Sequence, residues 1–150
     1  EVWNGSSWTE VNDLNEARYG GAGGGIYTDA IYAGGYDTTA IANAESWDGT
    51  SWTEVNNLNN GRLSLAGAGD ASTSVLVFGG GPTTPGTNLA HTESWNGTSW
   101  TEQNNLATAR TILSGAGKSA SSALAFGGYP QKNATEEWTA NLANKTITTS

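Results

Sequence analysis

The chain is 150 residues long, room for one ordinary domain, and its net charge of −8 with only six Lys and Arg disfavours nucleic acid or an anionic membrane surface as partner. The absence of Cys excludes disulfides, thiolate chemistry and Cys-ligated zinc. Hydrophobic residues are only 36% and Gly numbers 21, yet seven Trp and five Tyr are too many for a disordered chain, so the core must come from a few large rings and closely approaching Gly/Ala backbone.

Residues 1–14 open with EVWNGSSWTE, two short strands around Asn4-Gly5. Asn-Gly and Asp-Gly pairs tolerate positive φ in hairpin turns, which places Trp3 and Trp8 on facing strands where a cross-strand ring contact can form. From residue 15 a longer pattern begins. Arg18 precedes the Gly-rich strand YGGAGGGIY, and the apolar strand DAIYAGG ends in Gly34-Gly35. A loop at 36–43 leads to a third strand, NAESW, carrying Glu45 and Trp47. Asp48-Gly49 then turns the chain into a fourth strand, SWTEVNNL, carrying Trp52.

The pattern repeats at 59–106 with Arg62, LSLAGAGDA, SVLVFGG ending in Gly79-Gly80, a loop at 81–91, HTESW with Glu93 and Trp95, Asn96-Gly97 and SWTEQNNL with Trp100. It repeats again at 107–150 with Arg110, TILSGAGKS, SALAFGG ending in Gly127-Gly128, a loop at 129–135, and TEEW with Glu136, Glu137 and Trp138. The closing TANLANKTITTS loses the turn and the second Trp, although its alternating KTITTS can supply a fourth strand or an end cap. The Trp pairs and the arginines step by 44 and 48 residues, so independent markers keep one register. Short runs bounded by Gly, Asn and Thr predict strands, and no segment sustains a 3.6-residue period.

Four-stranded units of this length, in the order Arg, Gly-rich strand, apolar strand ending in Gly-Gly, Glu-x-aromatic and Trp, resemble the kelch repeat. Gly34-Gly35 stands as the double glycine, Trp47 stands where kelch repeats usually carry Tyr, and Trp52 stands as the motif's Trp. The WNGTSWTE phrase, the low-charge Ala/Gly strands and the TITTS ending also resemble kelch-type proteins of tailed marine bacteriophages. The resemblance implies an all-β, kelch-type β-propeller segment of about three and a half four-stranded blades: a half blade at 1–14 and blades at 15–58, 59–106 and 107–150. Propellers close with about 4–8 blades. The ring is therefore expected to be completed either by further blades of a longer chain, the favoured account and one consistent with a start at Glu1 rather than Met, or by a second copy whose residues 1–14 complete the 107–133 half blade.

Arg18, Arg62 and Arg110, with Glu45, Glu93 and Glu136 or Glu137, recur once per unit. A ring of charge around a channel is one reading. A residue present in every unit is more economically scaffold, each Arg held between blades in bidentate geometry by Glu or by carbonyls. His91 stands alone with no nucleophile or ligand cluster beside it, and the GGAGGG stretch at 20–25 lacks the Lys-Ser/Thr ending of a phosphate loop. The sequons at Asn4 and Asn96 coincide with hairpin turns, and Asp48 keeps the turn while losing the sequon. No catalytic residue, cofactor or metal is expected.

The loops after the Gly pairs vary while the frame does not, and loops on a rigid scaffold are where binding resides. Tyr36, Asp37, Pro82, Thr83, Thr84 and Tyr129 are the candidate ligand contacts. The expected function is a non-enzymatic structural and recognition module of a phage virion, a tail or decoration component at the particle surface or outside the cell, which binds a host surface glycan or protein. The alternatives are a sugar-acting kelch-propeller enzyme with its active-site residues in missing blades, and an intracellular kelch adaptor.

Overall fold

A computed structural model of the protein describes residues 1–82, 87–130 and 133–140. The described residues are all-β, with no helix, in four antiparallel sheets, none of which closes on itself. Strands β1 (Val2–Trp3) and β2 (Trp8–Thr9) form a hairpin. The first sheet runs in chain order through β3 (Ala22–Ile26), β4 (Asp29–Ala33), β5 (Ala44–Trp47) and β6 (Trp52–Val55). The second runs through β7 (Ala66–Ala68), β8 (Val75–Phe78), β9 (Thr92–Trp95) and β10 (Trp100–Gln103). The third has β11 (Ser114–Ser119), β12 (Ser122–Phe126) and β13 (Thr135–Thr139). The KTITTS segment expected as a fourth strand lies outside the described residues. β13 holds the outer edge of β12, the place that residues 1–14 of a second copy would take.

Successive sheets meet through their first two strands, and the apolar pattern of each second strand reports its neighbours. Side chains alternate faces along a strand. In β8 both faces are covered: Val75 and Val77 pack back against Ile31 and Ala33, while Leu76 and Phe78 pack forward against Ala123 and Ala125. Hence the unbroken VLVF. β12 is covered on one face only, so Ala123 and Ala125 are buried while Leu124 and Phe126 are exposed.

Glycine sets how closely the sheets approach. A Cβ on Gly67 would lie 2.5 Å from the Gly23 carbonyl oxygen, and one on Gly115 would lie 2.6 Å from that of Gly67, so β3, β7 and β11 stack with main chain against main chain. Large rings supply apolar area at the other end of each sheet. Trp3 opposes Trp8, Trp47 opposes Trp52 and Trp95 opposes Trp100, with ring centroids 5.5, 5.3 and 5.1 Å apart. That contact is the one expected from the spacing.

The turn between the rings works differently from the expectation. Positive φ falls on the glycines alone, at 98°, 94° and 93° for Gly5, Gly49 and Gly97. The preceding Asn or Asp instead folds its side chain over a four-residue loop. Asp48 Oδ1 accepts hydrogen bonds from the N–H groups of Thr50 and Ser51, both at 2.8 Å, and Asn4 and Asn96 do the same to Ser6 and Ser7 and to Thr98 and Ser99. Those donors hold the exposed Asp48 carboxyl below the ordinary carboxylate range.

Candidate functional site

One rim of the molecule gathers the segments that enter each first strand and the loops that leave each second strand. The residue after each Gly pair bonds back to the residue after each arginine. Tyr19 and Tyr36 exchange backbone hydrogen bonds of 3.1 and 2.8 Å, Leu63 and Gly81 of 2.9 and 3.0 Å, and Thr111 and Tyr129 of 3.0 and 2.8 Å. A second ladder crosses from sheet to sheet, Ser64 N–H donating to the Gly20 carbonyl at 2.6 Å and Ile112 N–H to the Ser64 carbonyl at 2.8 Å. The rim is thus rigid main chain with loops raised above it.

Beneath the rim lie the three arginines, each with its side chain buried. Arg62 Nη2 donates to Glu93 Oε1 at 2.8 Å, while Nη1 donates to the carbonyls of Gly79 and His91 at 2.9 and 2.7 Å. Arg110 repeats this with Glu136 Oε1 at 2.9 Å and the carbonyls of Gly127 and Ala134 at 3.1 and 2.8 Å. Arg18 Nη1 reaches Glu45 Oε1 at 2.6 Å, and its guanidinium lies 5.2 Å from the Tyr32 ring centroid. The second oxygen of each carboxylate accepts a backbone N–H from the entering segment, of Asn15, Asn59 and Ala107.

This corrects the expected geometry. Each guanidinium pairs within its own unit, with one oxygen of its third-strand glutamate rather than both, and Arg18 also lies 3.7 Å from Glu16 Oε2. It is the arginine main chain that spans units: the carbonyls of Arg62 and Arg110 accept hydrogen bonds from the N–H groups of Gly35 and Gly80 in the preceding unit, both at 2.9 Å. One residue therefore ties its own sheet through the side chain and the previous sheet through the backbone. The repeated carboxylates accept a hydrogen bond at both oxygens, which suits a scaffold part. Burial works to raise Glu45, but the Asn15 N–H and amide and the Arg18 guanidinium together hold it below the ordinary carboxylate range.

The candidate contacts fall into place unevenly. Tyr36 is half-buried, its ring 5.5 Å from that of Tyr19. Asp37 is exposed at the loop tip, and its Oδ1 accepts from the N–H groups of Thr38 and Thr39, which hold its pKa down. Pro82 and Tyr129 are exposed, and Thr83 and Thr84 lie outside the described residues. His91 contributes its carbonyl to Arg62, while its Nδ1 is buried without a partner among the described residues. Among those residues no group of three His, Cys, Asp or Glu is placed to hold a metal ion.

Two rim residues escaped the sequence reading, Tyr19 and Ile112, both largely exposed. Each sits within two positions of a repeated arginine, where the other units carry Leu63 and Ser64. That departure from the repeat was the available signal. Ile112 also has φ of 54°, at the position occupied by Gly20 and by Ser64 in the other units. A β-branched residue in the left-handed region is a genuine outlier. No protein-family model and no curated protein matches the chain.

Proposed function

We propose that the chain is a segment of a kelch-type β-propeller serving as a non-enzymatic recognition module, a tail or decoration component of a tailed-phage particle that binds a host surface glycan or protein through its rim. The phage setting rests on the resemblance of the WNGTSWTE phrase and the Ala/Gly strands. The propeller reading is supported by sheets that follow one another in chain order and dock through their first strands in a repeated register. One observation carries the recognition reading: an exposed aromatic and apolar set, Tyr19, Tyr129 and Ile112, stands on a frame whose buried parts are nearly identical from unit to unit.

Aromatic faces with a polar edge suit sugar rings, which offer C–H groups to the ring and hydroxyls to the phenol. Asp37 Oδ2 takes no part in capping its loop and is available to accept from a ligand hydroxyl. Ile112 adds a further mark of function, since strained residues persist at binding sites when the surroundings over-determine them.

A glycan array with the intact protein tests this reading. Tyr129→Ala and Tyr19→Ala are expected to weaken the bound glycan at least about tenfold, roughly 1.4 kcal/mol, with folding unchanged. Ile112→Gly is expected to weaken binding while raising stability by up to about 1 kcal/mol, the left-handed cost of about 1–2 less the flexibility of glycine. Turnover of a sugar without stable binding, or rim variants that bind like the parent, would sink it.

A further inference from the structure

We propose that two copies of this chain join by exchanging strands: the β1–β2 hairpin of each copy takes the outer edge of β12 in the other, displacing β13, around a two-fold axis. Closure of the resulting ring rests on the propeller reading above, whereas the docking faces follow from contacts within one chain.

Glu1, Glu45, Glu93 and Glu136 each stand two residues before a Trp of the repeat, yet only three arginines recur. Glu1 belongs to a hairpin that is the outer half of a unit. The hairpin lies against the first sheet as β5–β6 lies against the second, since Asn12 Nδ2 donates to the Thr50 carbonyl at 2.7 Å and Asn56 Nδ2 donates to that of Thr98 at 2.7 Å. Between the hairpin and the first sheet is a cavity of about 380 Å³, lined by Trp3, Trp8, Ile26, Tyr27 and Trp47 among others. In the other units that space holds an inner pair of strands.

The far end of the chain offers such a pair. On β11–β12, Leu124 and Phe126 are 43% and 39% exposed at the positions where Leu76 and Phe78 are 0% and 2% exposed. The main chain matches as well. Gly35 and Gly80 N–H groups donate to the arginine carbonyl of the following unit, and among the described residues neither the Gly128 N–H nor the Arg18 carbonyl has a backbone partner. Docking β11–β12 into the cavity of a second copy repeats for a third time the interface that the chain already makes twice.

The register selects the contacts. β13 sets Trp138 opposite Ala123, Glu137 opposite Leu124 and Glu136 opposite Ala125. The hairpin in that register sets Trp3 opposite Ala123, Val2 opposite Leu124 and Glu1 opposite Ala125, where its carboxylate meets Arg110. Leu124 then exchanges an acidic cross-strand neighbour for an apolar one, and the sheet exchanges β13 with its single tryptophan for two strands with two. The described residues of two copies supply six inner pairs, within the 4–8 units that propellers close.

The absence of Cys makes the test clean. Cα atoms opposed in an antiparallel pair lie about 4.5–5.5 Å apart, inside the disulfide range of about 4.4–6.8 Å. Val2→Cys chains oxidised together with Leu124→Cys chains are expected to give a reducible dimer at twice the 15.5-kDa chain mass, formed only in the mixture. The unmodified chain is expected to run at that doubled mass in native mass spectrometry, and Leu124→Asp to run as a folded monomer. A monomeric parent chain, or a dimer that the two cysteines fail to bridge, overturns the exchange. Glycan binding by that monomer leaves the recognition reading standing.

Discussion

Each repeated arginine is stripped of water and compensated by the carboxylate of its third strand, joined by two or three carbonyls at Arg62 and Arg110 and by the Glu16 carboxylate and carbonyl at Arg18. In the second unit both partners are fully enclosed, the Glu93 side chain being 1% exposed, whereas Glu136 in the third unit is 24% exposed. Removing one partner of a buried pair strands the other charge, at about 3–5 kcal/mol, and water relieves that cost where it can enter. Glu93→Gln is therefore expected to cost several kcal/mol and Glu136→Gln clearly less, compared by urea denaturation. Glu45 adds a pH dependence with a defined sign. Its folded-state pKa is depressed, so its contribution is complete above the unfolded value of about 4.3 and is lost as pH falls through the lower folded value. The stability gap between the parent and Glu45→Gln should narrow below about pH 4.3 and stay constant above it; a gap that widens on acidification contradicts the assignment. Spacing alone was enough to pair these residues by type. That the guanidinium stays within its unit while the backbone crosses between units was not legible, because carbonyl and N–H groups carry no sequence signature.

At the scale of the hairpin, three copies of one element differ in a single informative letter. Asp48 does for its turn what Asn4 and Asn96 do for theirs, because the working atom is a side-chain oxygen accepting two N–H groups. Asn96→Asp should leave stability unchanged, whereas Asn96→Ala should lose about 1 kcal/mol, the usual net worth of a hydrogen bond. Thermal unfolding of the two variants checks this. Equal losses in both would mean that the amide nitrogen, rather than the oxygen, holds the turn. The hairpin and its facing rings could be read from the sequence because period and turn chemistry are local. The left-handed glycine and the capping side chain divide a task that Asn-Gly spacing alone assigns to both residues. The strained Ile112 was hidden for the opposite reason: its φ is imposed by the ladder from Ser64, a contact with the neighbouring unit.

At the scale of the molecule, stability is a chain of neighbour contacts, since among the described residues the main sheet-to-sheet contacts run between successive sheets, β3 to β7 and β8, and β7 to β11 and β12. Among the described residues the second sheet is the one covered on both faces, by the two apolar clusters that include Val77 on one side and Phe78 on the other. Gly67 stands at the junction of both interfaces, its own missing Cβ accommodating the Gly23 carbonyl and its carbonyl lying where a Cβ on Gly115 would be. Because backbone cannot repack as a side chain does, Gly67→Ala must push the first and second sheets apart. The expected cost is at least the ~1–3 kcal/mol of an overpacked core, and the loss should appear as reduced cooperativity as well as a lower midpoint. Urea unfolding followed by tryptophan fluorescence should then show a shallower transition for Gly67→Ala. Hydrogen exchange should show lost protection in β3 and β7 ahead of β12. A variant that unfolds at a lower midpoint with unchanged slope and uniform exchange would mean that the units do not act as separable neighbours, and that one undivided core holds all three sheets.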